Sequence, residues 1–130
     1  MPLVKITIRS GKSVVYKTAL LDRVHNALVQ TFRIPEHDRY QMLHELDSEH
    51  FETPSNKTDN ITIIEMTVFK GRSDETRQCL YKAIVDNLTR NPGIKNDDIM
   101  IVLYEPPLEN WGIRGGKPAS EVGPGFKIEI

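Results

Sequence analysis

The chain has a single cysteine, Cys79, so no disulfide can close within it. It has no surplus of either charge: 17 Lys plus Arg against 18 Asp plus Glu leave a formal net charge of −1. That excludes the broad electrostatic pull by which basic proteins hold nucleic acid or a membrane surface. No apolar run in the sequence approaches the ~20 residues that cross a bilayer. The first residues lack the basic start, apolar stretch and small-residue cleavage site of a signal peptide. The expectation is a soluble cytoplasmic protein with no nucleic-acid or membrane partner. Metal ligands are also sparse. His25, His37, His44 and His50 make no ligand pair with Cys79, so no metal centre is expected. His25 reads as solvated and Cys79 as packed. GIRGGKPAS is one residue short of a phosphate loop and carries Pro118 where Ser or Thr should follow the lysine, which argues against a nucleotide site.

What is present is one pattern written twice. Sliding the 130-residue chain against itself by 60 residues lays VKITIRSGKSVVYKTALLDRVHNALVQ over IEMTVFKGRSDETRQCLYKAIVDNLTR without a gap. Gly11 falls on Gly71, Ser13 on Ser73, Leu20 on Leu80, Leu28 on Leu88, Asp38 on Asp98 and Glu45 on Glu105. Each half, 2–46 and 62–106, reads strand, turn, helix, turn, strand. Leu3 to Arg9 alternates, with Val4, Ile6 and Ile8 on one face. Ser13 and Ser73 suit helix caps. Leu20, Val24 and Leu28, and again Leu80, Ile84 and Leu88, fall on one helical face. Pro35 and Asn91-Pro92-Gly93 stop the two helices. Arg39 to Leu46, Ile61 to Phe69 and Asp98 to Tyr104 read as the other strands.

A strand–helix–strand crossover implies parallel strands. The fold class expected is therefore α+β: tandem β-α-β units in one domain, forming a four-stranded mixed sheet with two helices on one face. Residues 47–61 are a polar linker. Residues 107–130 read as a Gly- and Pro-rich loop or short hairpin. They end in a short strand, Phe126 to Ile130, placed to add to a neighbour's sheet. Ile99, Ile101 and Leu103 alternate with Met100, Val102 and Tyr104, so this strand is apolar on both sides. Two helices cover only one face of a sheet, so the other is expected to be covered by further copies of the chain.

Four places carry candidate chemistry. Pro2 suits the first position of a strand, where its missing N–H costs nothing. If Met1 is trimmed, Pro2 also becomes a free secondary amine at a strand end. Lys70 and Arg72 flank Gly71 just before a helix N-terminus; this is either a solvated turn or an anion site built from two cations and the helix dipole. Asp38 opens the second strand and is a turn residue or a functional carboxylate. Trp111, the only tryptophan, is a packing anchor or the wall of a binding site.

Taken together, MPL at the start, PEHDRYQ, FKGRSDE, the ENWG loop and the doubled unit resemble the tautomerase superfamily. The resemblance is stronger to its two-unit, malonate semialdehyde decarboxylase-like group than to 4-oxalocrotonate tautomerase, whose chains hold one unit. It implies Pro2 as the catalytic proline, Asp38 as the aspartate assisting it or activating water, and Arg72 as the residue holding a substrate carboxylate. It implies Trp111 and Ile113 as apolar walls, a homotrimer, and no cofactor. Lys70 falls where the decarboxylase carries a second arginine; lysine keeps the charge and loses the two-pronged fork. The implied activity is enol–keto interconversion of a small 2-oxo acid with Pro2 as base. The alternatives are a decarboxylase or hydratase, or a binding protein on the same scaffold. A chain amine near ~7.7–8.0 becomes a base at neutral pH if burial and nearby cations lower it. Thr62 stands in the place of Pro2 in the second half, so one site per chain is expected.

Overall fold

The computed structural model describes residues 1–130. Strand β1 (Leu3–Arg9) leads through Gly11 into helix α1 (Val14–Phe32), and strand β2 (Tyr40–Leu46) completes the first unit. The second unit is β3 (Thr62–Thr67), α2 (Asp74–Arg90) and β4 (Ile99–Tyr104). Both helices start where a serine hydroxyl accepts from the amide three residues on: Ser13 from Tyr16 at 3.1 Å and Ser73 from Thr76 at 3.2 Å. Helix α1 ends at Arg33, whose φ of 54° breaks the helical path ahead of Pro35. Beyond α2, the amides of Gly93 and Ile94 both turn back to the carbonyl of Leu88.

The sheet runs β2-β1-β3-β4. β1 and β2 are parallel, as are β3 and β4, while β1 and β3 are antiparallel. The sheet is thus the expected mixed one, with the two units joined back to front. One face packs under both helices. Val4, Ile6, Ile8, Ile64 and Met66 meet Leu20, Val24, Leu28, Leu80, Ile84 and Leu88 in a single core. The other face is open. Lys5 and Glu65 lie along its middle, 3.9 Å apart. Tyr40, Met42 and Leu46 stand exposed on one edge strand, and Met100, Val102 and Tyr104 on the other. No helix is long and apolar enough to cross a membrane.

Four expectations are corrected. Strand β3 is shorter than 61–69, because past Thr67 the chain turns into the loop that leads to α2. The segment Phe126 to Ile130 is not a strand; it is drawn onto the start of α2, where Ile130 O accepts from the hydroxyls of Ser73 at 3.0 Å and Thr76 at 2.6 Å. His25 is buried, with Nε2 2.7 Å from the carbonyl oxygen of Glu36, because the chain after α1 folds back over the helix. Cys79 is exposed. It lines an open groove of about 450 Å³ with Gln30, Lys82, Asp86 and Arg90 instead of packing inward.

Candidate active site

The amino end of the chain lies between two elements that the sheet register selects. Leu3 pairs with Tyr40 on one side and Thr67 on the other. Continuing the register backwards brings Met1 and Pro2 beside Asp38 and Arg39, and beside Phe69 and Val68. Pro2 is buried. The Met1 ammonium forms an ion pair with the Asp38 carboxylate. In the full chain the Pro2 nitrogen is an amide, and Met1 supplies the positive end of this pair.

Behind the strand end sits a small apolar cluster separate from the main core. Phe69, Trp111, Ile113 and Ala119 are its buried members, with Met1, Leu3, Leu108, Val122, Phe126 and Ile128 packed against it. The Phe69 and Trp111 rings are tilted, with centroids 4.6 Å apart. Trp111 donates from Nε1 to the carbonyl oxygen of Pro106 at 3.2 Å, which satisfies its one polar atom. A hairpin of β5 (Gly112–Ile113) and β6 (Lys117–Pro118), followed by the one-turn helix α3 (Ala119–Val122), holds Trp111 and Ile113 in place.

Arg72 completes the arrangement. It is only 4 % exposed. Its Nη1 donates to Phe69 O at 3.1 Å, and its guanidinium carbon lies 4.5 Å from the Phe32 ring centroid and 5.8 Å from that of Phe126. Nε and Nη2 have no partner at all. Burial lowers the guanidinium pKa to about 10 against the opposing pull of Glu105, so the group stays cationic at neutral pH. An orphaned pair of donors on a buried cation is costly unless an acceptor, such as a carboxylate, meets it.

Pro2, Asp38, Trp111 and Ile113 thus come together at one end of the sheet, and Arg72 lies behind Phe69. Lys70 does not share the burial of Arg72: it is exposed, and Gly71 between them has a φ of 148°, a conformation that favours glycine. The helix N-terminus is already partly occupied. The amide of Ser73 reaches Ile130 O at 3.4 Å, and that of Thr76 is capped by Ser73. Sequence reasoning missed Phe32 and Phe126, which lie far apart in the chain and give no local signal. It also missed Arg77, which donates to Arg72 O at 2.8 Å and pairs with Glu105 at 3.2 Å. The repeat could have revealed that last pair, since Lys17 and Glu45 make the same one at 3.2 Å in the first half. Elsewhere, Asp47, Glu49 and His50 bring potential metal-ligand atoms within 4.8 Å of one another, but all three are exposed. The surface grooves, about 320 to 500 Å³, run along the two long helices, and none is lined by Pro2, Asp38, Arg72 or Trp111.

Comparison with known proteins bears on the family and the fold. A family model described as "Tautomerase enzyme" matches residues 38–114, and a second with the same description matches 2–53. A probable tautomerase, YusQ of Bacillus subtilis (strain 168), is 29% identical over 122 residues, covering 90% of this chain and 96% of that protein. Among solved structures, malonate semialdehyde decarboxylase superposes with a TM-score of 0.84 at 26% identity, over 94% of this chain and 98% of that one. A symmetric trimer of fused 4-OT superposes with a TM-score of 0.83 at 23% identity, over 94% and 99% of the two chains. That last likeness concerns the fold alone.

Proposed function

The chain belongs to the tautomerase family of enzymes, and from that membership we infer that it interconverts the enol and keto forms of a small 2-oxo acid, with Pro2 as the general base. The observation that carries this reading is the position of the amino terminus. It lies against Asp38 and an apolar aromatic cluster, with a buried cation, Arg72, whose free donors suit a carboxylate. In the mature form Met1 is removed and the Pro2 nitrogen takes its place as the charged or neutral amine facing Asp38. Desolvation by Phe69 and Trp111 favours the neutral amine, while the Asp38 carboxylate opposes that shift. The neutral amine takes the proton from the enol oxygen, and the resulting cation returns a proton to the carbon of the double bond that does not bear the oxygen. One proton leaves and one arrives, so no cofactor is needed. Arg72 holds the substrate carboxylate, Lys70 adds long-range attraction from the surface, and Trp111 and Ile113 shape the apolar wall.

The deciding experiment is turnover of phenylenolpyruvate by Pro2→Ala. Turnover should fall by about 10²- to 10⁴-fold, the usual weight of a positioned base; unchanged turnover overturns the assignment. A second reading follows from the ion pair at Asp38. A carboxylate beside the amino terminus also suits water activation or a cationic Pro2 that eases loss of carbon dioxide. The structural likeness to malonate semialdehyde decarboxylase supports it. Release of carbon dioxide from malonate semialdehyde would favour this reading; its absence alongside intact tautomerase activity would exclude it.

The open sheet face supports a homotrimer in the same reading. Six large apolar side chains, from Val102 at 36 % exposed to Tyr40 and Met100 at 53 %, crowd its two edge strands. Sedimentation at three times the chain mass is the expected result, and a monomer at micromolar concentration would contradict it.

A further inference from the structure

The buried arginine poses a steric problem. Arg72 has two free donors, yet it is almost wholly covered, and no groove of the chain reaches it. Part of the cover is the segment Phe126 to Ile130. Phe126 lies over the guanidinium and beside Phe69, with ring centroids 6.1 Å apart. Ile128 sits so close to Gly71 that a Cβ there would come within 3.2 Å of its side chain. Ile130 O is held by Ser73 and Thr76 at the start of α2. Lys127 and Glu129 alternate outward and are exposed, so the segment brings no acidic side chain to the arginine. Its attachment to the rest of the chain is Gly123-Pro124-Gly125, with φ of 76° and 88° at the two glycines. These are backbone conformations in which glycine moves with little steric penalty.

We propose that residues 126–130 form a strap that gates Arg72, hinged at Gly123 and Gly125 and latched by Ile130 O on Ser73 and Thr76, and that a carboxylate ligand binds by displacing it. The proposal rests on the reading of Arg72 as the carboxylate site and adds how that site is reached. The closed state leaves Nε and Nη2 unpaired, and a carboxylate satisfies both at once. Within the strap, Ile130 O is engaged at the latch and Ile128 O accepts from the Ile130 amide. Apparent affinity is therefore the intrinsic affinity scaled by the fraction of molecules that are open.

The test weakens the latch and leaves the arginine in place. Thr76→Val removes one donor to Ile130 O while keeping the side chain's shape, and Ile128→Gly removes the contact on Gly71. Malonate, titrated calorimetrically as a carboxylate probe, should bind Thr76→Val about two- to tenfold more tightly than the parent chain, the weight of one net hydrogen bond, and Ile128→Gly more tightly as well. Equal or weaker binding in both overturns the gate. Hydrogen exchange supplies the second readout: with malonate present, the amides of residues 126–130 should exchange faster. Slower or unchanged exchange means that the ligand does not open the strap, which also overturns it. Arg72→Ala separates the two levels. If malonate binds that variant as well as the parent chain, the carboxylate reading itself fails. If binding is lost there and the latch variants behave as the parent does, only the gate fails.

Discussion

The two ends of the sheet are related by the internal repeat, and they have opposite polar chemistry. At the linker end Thr62 stands where Pro2 stands at the other, Asp98 for Asp38, Lys12 for Arg72, Arg9 for Phe69 and Phe51 for Trp111. There Asp98, Thr62 and most of the Arg9 guanidinium meet partners within the chain, although Arg9 Nε is left without one. Asp98 is buried and accepts from the amide of Thr58 at 2.9 Å and from its hydroxyl. The Arg9 guanidinium reaches Asp59, Phe51 O and Thr53 at 2.8 to 3.1 Å and stacks on Phe51. Thr62 donates to Asn60 O at 2.9 Å. The linker therefore plugs that end with its own polar atoms. At the other end Asp38 faces the chain's amino group, and Arg72 keeps two donors free. The same backbone scaffold supports a closed structural end and an end with unspent polar capacity. What separates them is whether the covering segment brings hydrogen-bonding partners.

The largest expected effect breaks the comparison at its first position. Pro2→Ala should remove most phenylenolpyruvate turnover, while Thr62→Ala leaves turnover near the parent value. Comparable losses in both would mean that the ends are not functionally distinct. Next comes the cation. Arg72→Ala removes charge-assisted bonds together worth about 3 kcal/mol, so kcat/KM should fall about 100-fold, and Lys12→Ala should leave it nearly unchanged. Steady-state kinetics with the same substrate checks both.

The third effect is on stability. Burial works to raise the Asp98 carboxyl, but the Thr58 hydroxyl and amide, with Lys57 and Lys95, outweigh it, and its pKa ends below the usual carboxylate value. A carboxyl lowered by folding binds its proton more readily in the unfolded chain. Its contribution is therefore present above the unfolded value near ~3.9 and is lost as pH falls through the folded one. Asp98→Asn should cost about 1–3 kcal/mol in urea unfolding at pH 7 and flatten the loss of stability below about pH 4. Asp38→Asn should affect turnover more than stability. The smallest effect is at Lys70. Being exposed, it contributes through screened attraction only, so Lys70→Ala should raise KM by no more than about threefold, and added salt should erase the difference.

The elements of the repeat were legible because they depend on local pattern. Ser13 and Ser73, two residues after a glycine, announce the helices, and the apolar residues at i, i+4 and i+8 name their inner faces. The open apolar face was legible in the double alternation of Ile99 to Tyr104. At the site, Pro2, Asp38, Trp111 and Ile113 could be named, but their convergence depends on strand register. Lys70 and Arg72 looked alike in sequence, yet one is exposed and the other is buried against aromatic rings. His25 was misread because its burial comes from residues 33–38 folding back over α1, not from helix periodicity. Phe126 to Ile130 alternates as a strand does, yet no strand edge receives it. Its partners are the two hydroxyls at the head of α2.

The sequence by itself determined the strands, the helices, their caps and the twofold layout, since these follow from side-chain period and backbone sterics within a few residues. Only the tertiary structure decided which cation is buried, which carboxylate is already satisfied and where the carboxy-terminal segment lies. Those outcomes turn on which distant backbone carbonyls, hydroxyls and rings reach each polar group, and local spacing carries no record of that.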